Sequence, residues 1–134
     1  MPAVREETLG VHSDEDVVRV RQITRQWALD LGFSLVDQTK VVTAASELAR
    51  NTLVHGGGGF GRLEELHEGP RRGIRLTFED KGPGIPDVAQ AIRDGFTTGS
   101  GLGLGLGGAR RLSNEFEITS SPGQGTRVAI TRWK

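Results

Sequence analysis

Apolar residues recur along this chain with two different periods, and the switches between them mark out its elements. Val17, Val20, Ile23, Trp27 and Leu31 follow one another at intervals of three or four, the repeat of a helix that buries one face. Ser13 with Asp16 three positions on reads as the N-cap of that helix, and Gly32 supplies its stop. A second helical stripe, Val41, Ala45, Leu48 and Thr52, predicts a helix capped by Asp37 and ended by the glycines at 56–59. Glu47 and Asn51 lie beside that stripe.

The period then shortens to two. Ile74, Leu76 and Phe78 alternate with Arg75, Thr77 and Glu79, which predicts a half-buried strand running straight into Asp80-Lys81-Gly82-Pro83-Gly84. Residues 61–66 give a weaker strand, because Leu63 and Leu66 differ in parity, and residues 4–9 alternate only faintly. Asp87 is placed to cap a short helix carrying Val88 and Ile92, and a glycine-rich stretch leads to a helix around residues 109–112. Strands at 116–120 and 126–133 close the chain, joined by the turn Ser121-Pro122-Gly123-Gln124-Gly125. Helices interspersed with strands and a terminal hairpin predict a two-layer α/β sandwich with the helices on one face of the sheet.

Composition narrows the function. The 134 residues suit one domain spanning 1–134, and no repeat or linker divides them. With 17 basic residues against 17 acidic ones there is no overall field to draw in nucleic acid or an anionic membrane. Cysteine is absent, and no apolar run approaches the ~20 residues of a membrane span. No signal peptide is evident near Met1, so the expectation is a cytoplasmic protein. Glycine is the outlier, 20 residues of which 14 are concentrated at 56–61, 82–84 and 95–108, where backbone must bend or come close to something.

Three segments offer chemistry. Glu47 and Asn51 stand one helical turn apart and can address one object: a carboxylate able to take a hydroxyl proton, and an amide oxygen able to coordinate Mg²⁺. A solvated helix face would look the same. Asp80 ends an apolar strand at a Gly-x-Gly turn, where it could accept from the exocyclic amine of a base, although the turn alone would also explain the sequence. Residues 99–108 alternate glycine with leucine ahead of a helix, giving backbone N–H groups that can wrap phosphate oxygens or close as a lid. This spacing is neither a Walker A loop nor a dinucleotide fingerprint. His55 could contact a phosphate or serve as a dipole partner at a helix end. His12 and His67 have no companions at ligand spacing, and no triad is offered.

In order, these pieces resemble the Bergerat-fold ATPases, the GHKL superfamily of gyrase B, Hsp90, histidine kinases and MutL. Glu47-Leu48-Ala49-Arg50-Asn51 is similar to the N box, Asp80 to Ile85 to the first glycine box, residues 99–108 to the second, and Gly125-Thr126 to the closing element. The resemblance implies a mixed, mainly antiparallel sheet. It also implies Glu47 as catalytic base, Asn51 as magnesium ligand, and Asp80 with Thr126 at adenine. Gly82, Gly84, Ile85, Thr98, Gly99, Ser100, Gly101, Leu102, Gly103, Leu104 and Gly105 would complete the nucleotide site, with ATP and Mg²⁺ as cofactors. Stretches at 36–39, 46–51, 79–87, 94–98 and 110–116 further resemble the bacterial serine/threonine switch kinases of the stressosome, the RsbT type. That likeness implies phosphorylation of STAS-domain partners and activation of a PP2C-type phosphatase, with neither nucleic acid nor membrane as partner and a homodimer left open. An anti-sigma factor built on the same scaffold is the alternative.

Overall fold

The computed structural model describes residues 3–92 and 106–134. Its elements in chain order are β1 (Ala3–Val11), α1 (Asp14–Asp30), α2 (Leu35–Val54), β2 (Gly59–Glu68), β3 (Arg71–Asp80), α3 (Val88–Ala91), α4 (Leu106–Arg111), β4 (Glu115–Ser120) and β5 (Thr126–Trp133). The five strands form one sheet in the order β1-β2-β3-β5-β4. Every pairing among the described residues is antiparallel, so the parallel component of a mixed sheet does not occur among them.

Local chemistry accounts for the helix boundaries. The Ser13 hydroxyl accepts from the Asp16 N–H at 3.2 Å, and the Asp16 carboxylate accepts from the His12 N–H at 2.9 Å, which satisfies two donors at the start of α1. The cap of α2 is Ser34, not Asp37: Ser34 is extended, and its hydroxyl accepts from the Asp37 N–H at 3.1 Å. Asp37 falls three residues later, inside the first turn, and its carboxylate accepts instead from Arg132 Nη2 at 2.8 Å. An acid there also suits the positive end of the helix dipole. Asp87 does cap α3, accepting from the Gln90 N–H at 3.0 Å.

The core lies between sheet and helices. Val17, Val20 and Trp27 of α1 and Val41, Ala45 and Leu48 of α2 are buried with Leu63, Leu76, Phe78, Val128 and Ile130 of the strands. Arg5 of β1 stacks on the Trp27 ring at 4.3 Å and pairs with Asp30 at 3.0 Å, fastening the edge strand to α1. The other face of the sheet carries charge: Glu64 is paired with Arg75, and Glu79 with Arg127. Leu66 departs from the parity of Leu63 because it belongs to that outer face, in one row with Gly73 and Trp133. Arg71 stacks over the Trp133 ring at 4.0 Å, so this corner buries apolar surface on both sides of the sheet. No described helix is long and apolar enough to cross a membrane.

Candidate functional site

Five residues stand side by side across one end of the sheet: Val11, Gly59, Asp80, Thr126 and Ser120 are successive cross-strand partners. Side chains two residues apart in a strand share a face, and Phe78 and Val128, two along from Asp80 and Thr126, are in the core. The row therefore faces the helices. Asp80 and Thr126 are both buried, two polar side chains on the face of the sheet that packs against the helices.

The carboxylate of Asp80 is held by its own loop and by the end of α2. Its Oδ1 accepts from the Gly82 N–H at 2.9 Å. Gly56, just past α2, approaches so closely that a Cβ there would sit 2.3 Å from Asp80 Cγ, and a Cβ on Gly82 would meet the Gly56 backbone at 2.7 Å. His55 Nε2 lies 3.3 Å from the Gly84 carbonyl oxygen. Gly84 itself has φ +78, and a side chain there would collide with the Ser121 carbonyl. Helix α2 and the Asp80–Gly84 loop are thus locked together through backbone contact that only glycine permits.

Ser120 ties the remaining wall. Its hydroxyl lies 2.8 Å from each of three groups: the Gly125 carbonyl oxygen, the Thr126 hydroxyl and the N–H of buried Ile85. Strand β4, strand β5 and the glycine loop meet at that one oxygen.

On α2, Asn51 is buried and its Oδ1 has no hydrogen-bond partner among the described residues, whereas Glu47 is exposed. A buried acceptor left unmatched is costly. It is the kind of oxygen a hard cation takes up together with phosphate and water oxygens. No cluster of three or more metal-binding side chains occurs among the described residues. Glu47 lines a groove of about 560 Å³ between α1 and α2, with Val18, Arg21 and Arg25. A second groove, about 630 Å³, crosses the strand ends and includes Asp80, Gly125 and Thr126 with outward-facing Phe60, Glu79 and Arg127. Neither groove joins Glu47 to Asp80. Thr98, Gly99, Ser100, Gly101, Leu102, Gly103, Leu104 and Gly105 lie outside the described residues.

Sequence reading did not single out Ser120 or Gly56. Gly56 was visible only as one of four consecutive glycines, and Ser120 as the last residue of a strand. What distinguishes each is a contact made across the fold.

Comparison with known proteins bears on this geometry. Residues 36–134 match the family of histidine kinase-, DNA gyrase B- and HSP90-like ATPases. The serine/threonine-protein kinase RsbT of Bacillus subtilis is 42% identical over 123 residues, covering 92% of this chain and 92% of that protein. An anti-sigma F factor from Thermoanaerobacter is 28% identical over 119 residues, 84% of this chain and 82% of its own. Among solved structures, the RsbU and RsbW domains of Rv1364c from Mycobacterium tuberculosis superpose with a TM-score of 0.65 at 21% identity, covering all of this chain (100%) and 33% of that one.

Proposed function

The chain belongs to the histidine kinase-, DNA gyrase B- and HSP90-like ATPase family and acts as a serine/threonine-protein kinase; from this premise we propose how its residues divide the work and what they act on. The observation that carries the reading is the seating of Gly56 against Asp80, which brings the helix of Glu47 and Asn51 to the loop of Gly82, Gly84 and Ile85. Asp80 and Thr126 receive the adenine. The segment containing Thr98, Gly99, Ser100, Gly101, Leu102, Gly103, Leu104 and Gly105 wraps the phosphates with backbone N–H groups.

Asn51 Oδ1 would hold Mg²⁺, which would supply neutralisation of charge on the phosphate oxygens. Glu47 orients the incoming serine or threonine hydroxyl and takes its proton as the hydroxyl oxygen bonds to the γ-phosphorus. The bond from that phosphorus to the bridging oxygen breaks, and ADP leaves. The exposure of Glu47 suits a base that must meet a hydroxyl on another protein.

The substrates are STAS-domain proteins of a partner-switching pathway in the cytoplasm, and release from them lets the kinase activate a PP2C-type phosphatase. Support comes from the similarity to RsbT. The weaker similarity to anti-sigma F factors favours, as a second reading, a protein that also sequesters a sigma factor. Transfer of radiolabel from ATP to candidate STAS proteins tests the assignment. Wild type should label serine or threonine, and Glu47→Ala should bind nucleotide without labelling; equal labelling by both would remove Glu47 as the base.

A further inference from the structure

We propose that Ser120 is a positioning residue that fixes the hydrogen-bond polarity of the base subsite and so makes it select a 6-amino purine over a 6-oxo purine. The inference rests on the nucleotide reading above and adds to it the device that sets its specificity.

The argument is a count of protons. A serine hydroxyl has one proton to give and two lone pairs to receive with. The Gly125 carbonyl can only accept, so the Ser120 proton goes to it, and the Ile85 N–H can only donate, so it takes one lone pair. One lone pair remains for the third neighbour, Thr126 Oγ1 at 2.8 Å. Thr126 must therefore be the donor in that contact, and its only proton is spent on Ser120. Its oxygen is left to accept.

Thr126 sits between Ser120 and Asp80 in the row across the sheet. Asp80 Oδ1 is already engaged by Gly82, so its second carboxylate oxygen is the one available to a ligand. The subsite then offers two acceptors side by side, Asp80 Oδ2 and Thr126 Oγ1. A 6-amino purine presents amine protons to such a pair. A 6-oxo purine presents a carbonyl oxygen, which meets acceptors and loses its hydration without compensation. Without Ser120, the Thr126 hydroxyl would turn and donate to that oxygen, and discrimination would fall.

Calorimetric titration of the full chain with ATP and with inosine triphosphate tests this, in the wild type, Ser120→Ala and Ser120→Thr. The ratio of the two affinities should drop roughly tenfold in Ser120→Ala, the scale of one hydrogen bond, and be retained in Ser120→Thr, which keeps the hydroxyl. An unchanged ratio in Ser120→Ala, or an equal drop in both variants, overturns the proposal. If Ser120→Ala does not fold by circular dichroism, Ser120→Cys, which keeps the volume and weakens all three bonds, carries the same comparison. A wild type that binds neither nucleotide would instead defeat the nucleotide site itself, so the two failures are distinguishable.

Discussion

Glu64 and Arg75 face each other across β2 and β3, and the guanidinium grips both carboxylate oxygens, Nε at 3.0 Å and Nη2 at 3.1 Å. The pair lies on the outer face of the sheet, where Glu64 is nearly closed off from solvent and Arg75 is about a third exposed. Hydrogen bonding from Arg75 holds the Glu64 carboxyl below its ordinary value of 4.5, against the opposing effect of burial. Because the folded value is depressed, the pair stabilises the fold above the ordinary glutamate range, and the contribution disappears as pH falls through the folded value. Glu64→Gln should cost about 1–2 kcal/mol at pH 7, the partly exposed arginine keeping it at the low end for a charged hydrogen-bonded pair. Urea unfolding at pH 7 and at strongly acid pH checks this: the deficit should shrink in acid, and an equal deficit at both would contradict it.

The closeness of Gly56 to Asp80 makes a methyl group decisive. A Cβ at Gly56 would overlap the carboxyl carbon, whereas one at Gly108 in α4 meets nothing within 4 Å among the described residues. Gly56→Ala should lower ATP affinity more than tenfold by displacing Asp80, measured by calorimetry. Gly108→Ala should raise the stability of the apo protein by about 0.5–1 kcal/mol in a thermal melt, since alanine loses less backbone freedom in a helix.

Asn51 gives a metal-specific prediction. Its Oδ1 is buried and has no partner among the described residues, so Asn51→Ala should raise the Mg²⁺ concentration for half-maximal ATP binding roughly tenfold, the range expected when a metal site loses support. Binding measured without Mg²⁺ should be unchanged. A parallel loss in both conditions would assign Asn51 to the nucleotide instead of the metal.

Arg132 joins β5 to the first turn of α2 through Asp37, and its other amine lies 3.4 Å from the Leu112 carbonyl oxygen. The Arg132 hydrogen bond lowers the Asp37 pKa, so this tie too is present at neutral pH and is lost in acid as Asp37 protonates. A double-mutant cycle of Arg132→Gln with Asp37→Asn should give a coupling of roughly 0.5–1 kcal/mol at pH 7. A coupling of zero would make the contact incidental.

Legibility followed the range of the interactions. The α1 cap and the alternating strand of Ile74, Leu76 and Phe78 were readable because their causes are local. The start of α2 was misread at Asp37 because Leu35 and Val36, the residues after the true cap, are 72% and 62% exposed. Apolar side chains turned to solvent break the stripe that periodicity looks for. The faintness of β1 has a related cause: it is an edge strand with Val4 on the surface. Asp80, Gly82 and Gly84 stood out because they fall within one stretch of five residues. The row of Asp80, Thr126 and Ser120 needs strand register between distant segments, which no short window of sequence contains.

Among the described residues, the chain leaves the sheet at Asp80, the last residue of β3, and is back in it at Glu115, the first residue of β4. Those two anchor points are fixed by neighbouring strands, and the sheet does not dictate how many residues lie between them. Closing a flexible excursion of twice the length costs only about 0.6 kcal/mol more. Insertions and deletions between the anchors can therefore accumulate at small thermodynamic cost, and that excursion is where divergence can produce new recognition loops while the strands beneath stay the same.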